Sequence, residues 1–184
     1  RKETTALILG LGGGLTSNLL VKKGFKVDGV DLDERIISVG KKYFDLNDKV
    51  ICYADDARHF INGMTDKYNV ILFDIFKAEE QPSHVLTFES LSKLKNNMLP
   101  WSQLVINWHG YVEGERGLGT SILLNTLQRS GFKYKIAVAS DKEDERNLVI
   151  FAGLSDPNLK QFEVKPTIQA TDLVNSDNHP VLEK

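Results

Sequence analysis

Apolar positions along this chain fall into short runs, each followed by a glycine-rich, acidic or charged break. Residues 6–9 (ALIL), 25–30 (FKVDGV), 49–53 (KVICY), 69–73 (NVILF) and 103–108 (QLVINW) have the length and apolar content of buried strands. The segments between them show helical spacing. Thr16 and Ser17 offer side-chain oxygens at a helix start, Leu19, Leu20 and Val21 give that helix an apolar side, and Gly24 ends it. Ile36, Ile37, Gly40, Tyr43 and Phe44 follow Asp33, which is placed to cap a helix carrying Glu34 in its first turn. Asp56 is placed to cap residues 57–64, whose inner side is Phe60, Ile61 and Met64. After a loop at 75–86, Thr87 is the expected N-cap of a helix over 88–98 that Pro100 stops. A glycine-rich loop at 109–119 precedes a helix over 120–130, closed by Gly131.

Strand and helix thus alternate up to residue 130, which predicts a parallel α/β sheet covered on both faces. The rhythm then changes. Residues 133–139 and 147–154 are two strands separated only by the charged turn 140–146, too short for a helical crossover, so they must run antiparallel. A mostly parallel seven-stranded sheet that closes with a C-terminal antiparallel hairpin, with helices on both faces, is the Rossmann-like class I methyltransferase fold. The expected division is a nucleoside-binding domain over 1–154 and a polar surface tail over 155–184, which carries Pro157, Pro166 and Pro180.

The chemistry concentrates in residues 6–33, a strand, glycine turn, helix, strand and acid in succession. Glycine permits the tight reversal and a close ligand approach, and the first-turn N–H groups of the helix then face that ligand. The loop reads Gly10-x-Gly12-Gly13-Gly14, and Leu15 occupies the place of the third glycine of the NAD pattern. It is closer to the G-x-G-x-G loop of proteins that bind S-adenosylmethionine. Asp31 stands seventeen residues after Gly14, near the ~20 expected for an acid that accepts ribose hydroxyls.

Composition narrows the function classes. The 184 residues suit one domain with a full core, and the net charge of −2 gives no electrostatic footprint for nucleic acid or an anionic membrane. Cys52 is the single cysteine, which leaves no disulfide framework or thiolate cluster, and it reads as a small apolar filler in a strand. No His/Asp/Glu spacing suggests a metal site. No apolar run reaches the ~18 residues of a membrane span and no signal peptide is visible, so a cytoplasmic location is expected. The chain enters its first strand almost at Arg1, as the catalytic domain of a longer protein would.

From residue 7 to about 154 the chain resembles the catalytic domain of the spermidine synthases, the polyamine aminopropyltransferases. ILGLGGG, VDLDERIISVGKKYF, DDARHF and YNVILFD occur in that family's order and spacing. The resemblance implies that Asp31 holds the ribose, that Asp56 accepts the adenine amino group with Ala57 beside the ring, and that Asp74 stands at the mouth of the active site. It places Gly10, Gly12, Gly13 and Gly14 against the amino-acid-derived part of S-adenosylmethionine or its decarboxylated form, with S-adenosylhomocysteine or methylthioadenosine as product. Two departures bear on the reaction. Gly13 stands where the family has an aspartate that helps bind the propylamine side, and Lys77 stands where it has the catalytic aspartate. The N-terminal β-hairpin domain that covers the amine site in that family has no counterpart in this sequence.

Transfer from a sulfonium needs an aligned nucleophile and, for an amine, a group that holds or accepts its proton. The carboxylates near the fourth strand are Asp74, Glu79, Glu80 and Glu89. Asp74 is the first candidate for the catalytic side, and it also fits a cap for the following loop. Glu79 and Glu80 fit either an amine-holding pair or a solvated acidic loop, while Lys77 suits a neutral or anionic acceptor better than a polyamine. His84, His109 and Tyr111 follow strands four and five on the same rim, as acceptor contacts or plain loop residues. His59 reads as a surface helix residue without a partner, and Trp101 and Trp108 as packing residues. The sequence therefore predicts aminopropyl transfer to an amine, with a small-molecule acceptor such as a polyamine and a homodimer as in the family. Methyl transfer to another small acceptor and a non-catalytic nucleoside-binding module remain the alternatives.

Overall fold

The computed structural model describes residues 3–75, 83–112, 114–138, 147–157, 159, 163–164 and 171–182. The strands are β1 (Thr4–Leu9), β2 (Phe25–Asp31), β3 (Ile51–Ala54), β4 (Tyr68–Phe73), β5 (Met98–His109), β6 (Lys133–Val138), β7 (Asn147–Gly153) and β8 (Glu163–Val164). The helices are α1 (Leu15–Lys22), α2 (Glu34–Tyr43), α3 (Ala57–Gly63), α4 (Phe88–Asn96) and α5 (Leu118–Arg129), with a 3₁₀ turn, Glu115–Gly117, before the last. All eight strands join one sheet in the order β3-β2-β1-β4-β5-β7-β6-β8. β1 runs parallel to β2 and β4, β2 to β3, and β4 to β5. β7 lies between β5 and β6 and is antiparallel to both; the short charged turn requires the antiparallel pairing with β6. The expected seven strands are present, and β8 adds two residues antiparallel to β6 at the edge.

β1 is central, and the pleat sends its side chains into two cores. Leu7 and Leu9 join Ile71, Phe73, Leu104 and Ile106 on the face covered by α3, α4 and α5. Ala6 and Ile8 join Val27, Ile37, Leu46 and Val50 on the face covered by α1 and α2. Asp33, Asp56 and Thr87 cap their helices through side-chain oxygens, as their positions predict.

Five expectations need correction. Thr16 and Ser17 do not cap α1: Gly14 occupies the N-cap in a left-handed conformation, and the Ser17 hydroxyl donates back to the Gly14 carbonyl at 2.7 Å. Leu19, assigned to the apolar side of α1, is 53% exposed. Pro100 does not stop α4, which ends at Asn96, but lies inside β5. The β4–β5 register shifts between Tyr68 and Val70, so the proline occupies an irregularity where the ladder needs no amide from it. Buried Ser102 fastens that irregularity, accepting from the Leu99 amide at 2.8 Å and donating to the Tyr68 carbonyl at 2.6 Å. Trp101, on the same stretch, is exposed rather than packed, whereas Trp108 is buried and donates to Thr120 Oγ1 at 2.9 Å. The C-terminal segment, expected to run over the surface, sends Asn175 and Val181 into the protein.

Candidate active site

The sheet order reverses at β1, whose two neighbours lead away in opposite directions, so a crevice opens beyond the carboxyl ends of β1 and β4. A cleft of about 840 Å³ lies there, within the range of small-molecule sites. Its floor is the glycine loop between β1 and α1. Gly10 has φ +91°, and a Cβ on it would run into the Asp74 carbonyl. Gly14 has φ +84°, and a Cβ there would strike the Leu46 side chain. Both positions therefore demand glycine. With no side chain capping α1, its first-turn amides are left for whatever lies over the loop.

Three strand tips supply carboxylates. Asp31 ends β2; its Oδ2 accepts the Gly12 amide at 2.9 Å and its Oδ1 the Asp33 amide at 3.2 Å. The acid thus braces the glycine loop while facing the cleft. Asp55 and Asp56 follow β3. Asp56 Oδ1 accepts the His59 amide at 2.9 Å, and its Oδ2 lies 3.3 Å from His84 Nε2. Burial pushes the Asp56 carboxyl up, but the His59 amide, the His84 ring and the Arg58 amide outweigh it and hold the group below its ordinary value. Asp55 pairs with His59 Nδ1 at 2.8 Å, and that hydrogen bond raises the His59 pKa. His59, expected to lack a partner, has one. Asp74 ends β4. Its amide donates to the Leu9 carbonyl, and its Oδ1 accepts from Asn107 Nδ2 at 2.9 Å, so β5 orients the acid.

Gly10, Gly12, Gly13, Gly14, Asp31, Asp56, Ala57 and Asp74 all line this one cleft. Glu79, Glu80 and Lys77 lie outside the described residues. His84 joins the lining together with Val85, whereas His109 and Tyr111 do not. The Tyr111 hydroxyl accepts from Arg116 Nη1 at 2.9 Å and its ring lies under that guanidinium. Asp55, Asn107 and Phe44 were missed as site residues. Asp55 is adjacent to Asp56 at a strand tip, a signal in plain view. Phe44 reads as the last apolar position of α2, yet it follows the helix, is 60% exposed and turns to the cleft. Leu32 and Ile36 extend the same apolar wall. Among the described residues no cluster of His, Cys, Asp and Glu is arranged to hold a metal ion.

No family model matches the chain. Among curated proteins it is similar to an N-terminal histidine N-methyltransferase of Emericella nidulans, 28% identical over 112 residues, covering 58% of this chain and 20% of the relative. It is also similar to a "probable polyamine aminopropyl transferase" of Bifidobacterium longum, 24% identical over 150 residues, covering 80% of this chain and 33% of the relative. The chain therefore spans a third or less of the length of these two relatives. Among solved structures, human methyltransferase-like protein 13 in complex with SAH superposes with a TM-score of 0.69 at 20% identity, covering 89% of this chain and 75% of that one. This is the class I methyltransferase fold. In such a fold the crevice at the β1/β4 reversal is where a ligand lies, which is where the glycine loop and the three acidic strand tips converge here.

Proposed function

We propose that this cleft binds S-adenosylmethionine and that the chain is the catalytic part of a transferase. The observation that carries the reading is the convergence of the glycine loop with Asp31, Asp56 and Asp74 around one cleft. The residues suit the group. The main chain uses two acceptor positions of Asp31, and a carboxylate has about four, so the acid keeps capacity for two ribose hydroxyls. Asp56 and Ala57, adjacent on the cleft wall, would take the adenine edge and face. The uncapped amides of α1 suit the carboxylate of the amino-acid arm.

Bound there, the sulfonium supplies an activated carbon: an acceptor lone pair forms the new bond, the C–S bond breaks, and its electron pair stays on a neutral thioether. The protein's part is alignment and desolvation. The Asp74 carboxylate, held by Asn107, is positioned to hold an acceptor amine and to take the proton it loses on alkylation.

Methyl transfer is the reading favoured here, because of Gly13. Its Cβ position lies 3.3 Å from the Phe44 ring, so this loop presents apolar surface where the aminopropyltransferases have an aspartate. Aminopropyl transfer to a polyamine is the second reading, favoured by the similarity to the Bifidobacterium protein over 80% of this chain. Calorimetric titration with S-adenosylmethionine, S-adenosylhomocysteine, decarboxylated S-adenosylmethionine, methylthioadenosine and NAD separates them. A ligand at 100 times its Kd raises stability by about 2.7 kcal/mol, so thermal melts give an independent check. Preference for S-adenosylmethionine supports methyl transfer, and preference for the decarboxylated form supports aminopropyl transfer. Binding of NAD alone would refute both. No helix among the described residues is long and apolar enough to cross a membrane.

A further inference from the structure

The two walls at the nucleobase end of the cleft come from distant parts of the chain. Asp56 and Ala57 open α3, and His84 and Val85 precede α4. His84 Nε2 meets Asp56 Oδ2 across the gap at 3.3 Å, and a second connection runs behind it. Arg58, next to Ala57, donates from Nη1 to the His84 carbonyl at 3.0 Å and to Thr87 Oγ1 at 2.7 Å. The same guanidinium forms a two-pronged pair with Asp177 of the C-terminal segment, Nη1 to Oδ1 at 2.9 Å and Nη2 to Oδ2 at 2.5 Å. Asp177 Oδ1 also accepts from Thr87 Oγ1 at 2.7 Å. The fork geometry suits an arginine and a carboxylate, and the Arg58 hydrogen bond holds the Asp177 carboxyl below its usual range. Two residues earlier, fully buried Asn175 donates from Nδ2 to the carbonyls of Ser83 at 2.7 Å and Leu86 at 3.0 Å, on either side of His84 and Val85.

We infer that Arg58 and Asp177 are positioning residues for nucleobase recognition: their pair, backed by Asn175, sets the gap between the Asp56–Ala57 wall and the His84–Val85 wall. This rests on the reading of the cleft as a nucleoside site. Neither residue lines the cleft; they act through His84 and through the main chain on either side of it. The Asp177 side chain is 40% exposed and that of Arg58 17%, so the pair is partly desolvated, but Asp177→Asn leaves Arg58 its bonds to the His84 carbonyl and Thr87 Oγ1, and the change should move recognition more than melting.

The test is Asp177→Asn, which keeps the shape and removes the charge. Two ligands are titrated, S-adenosylhomocysteine and its hypoxanthine analogue, in which an acceptor oxygen replaces the adenine amino group. In parallel, the His84 ring resonance is followed in the ligand-free protein, assigned by its absence from His84→Gln. The variant should bind S-adenosylhomocysteine about fivefold more weakly, within the range open to residues that act without touching the ligand. Discrimination between the two ligands should narrow and the His84 resonance should shift, while the melting midpoint moves by less than about 4 °C. Arg58→Gln combined with Asp177→Asn should cost no more than the worse single change. A variant that melts earlier but keeps wild-type affinity, discrimination and His84 resonance would overturn the inference. If the unaltered protein does not bind S-adenosylhomocysteine, the nucleoside reading falls. The His84 resonance then decides only whether the pair sets the gap between the two walls: a shift supports that, and no shift overturns it.

Discussion

Asp31→Asn tests the centre of the site with a change of one heavy atom, an oxygen to a nitrogen. In the wild type the Gly12 amide bonds to Oδ2 and the Asp33 amide to Oδ1, which leaves about one acceptor position on each oxygen for a ribose hydroxyl. Asparagine keeps one oxygen and turns the other into a donor. If the oxygen stays toward Gly12, the Asp33 amide loses its acceptor, and one ribose hydroxyl must turn from donating to a carboxylate to accepting from a neutral amide. The remaining ribose contact loses its charge assistance. Hydrogen bonds to a charged group contribute about 1.5–3 kcal/mol and neutral ones about 0.5–1.5, so the expected loss in binding is about 2–3 kcal/mol. That is on the order of a 30- to 100-fold rise in Kd for S-adenosylhomocysteine, measured by titration calorimetry. The orphaned Asp33 amide is partly exposed, so folding should lose only about 1 kcal/mol, or roughly 2–4 °C in melting midpoint. A Kd within twofold of wild type, in a protein that melts normally, would refute the assignment of Asp31 to the ribose.

Three further expectations follow from the geometry. Gly10→Ala adds left-handed strain of about 1–2 kcal/mol to a collision with the Asp74 carbonyl, and overpacking of that kind costs about 1–3 kcal/mol more. A thermal melt should show a fall of many degrees, and an unchanged midpoint would mean that the loop is not held as described. Trp108→Phe leaves the buried Thr120 hydroxyl without its indole partner and opens a gap, a cost of about 1–3 kcal/mol readable by denaturant titration. The Asp33 carboxyl is lowered from an ordinary 3.8 to about 2, first by its side-chain hydrogen bond to Arg35 and then by the Arg35 amide. Its contribution to stability is therefore complete above pH 3.8 and is lost as pH falls through about 2, so Asp33→Asn should flatten that part of the acid limb, and carboxyl NMR should find the group titrating near 2.

The sheet was largely legible because its central strands are buried on both faces, and runs such as ALIL and NVILF can be little else. The antiparallel ending was legible from the length of one turn. Partner choice was not: nothing local in residues 147–153 says that β7 slips between β5 and β6 rather than extending the edge. Pro100 misled because a proline after a helix usually stops it, whereas here α4 ends earlier and Ser102 makes an irregular β5 tolerable. In the cleft, the glycines and Asp31 were singled out by spacing, and Asp56 and Asp74 by the family resemblance. Asn107 was not, because its role depends on β4 and β5 lying side by side, and Arg58 and Asn175 were not, because their partners lie 119 and 92 residues away along the chain. A polar residue buried by tertiary contacts looks, in a string of letters, like one facing water.

Asn175 also bears on how the protein comes into being. A ribosome adds about 5–20 residues per second, so the amide that satisfies Ser83 arrives roughly five to twenty seconds after Ser83 itself, 92 residues later. Until then the nascent polypeptide has its glycine turn and acidic tips in hand, but not the side chain that ties the Ser83 and Leu86 carbonyls together. Competence to bind should therefore wait for Asn175, and a chain stalled between Leu86 and Asn175 should carry the motif without the grip.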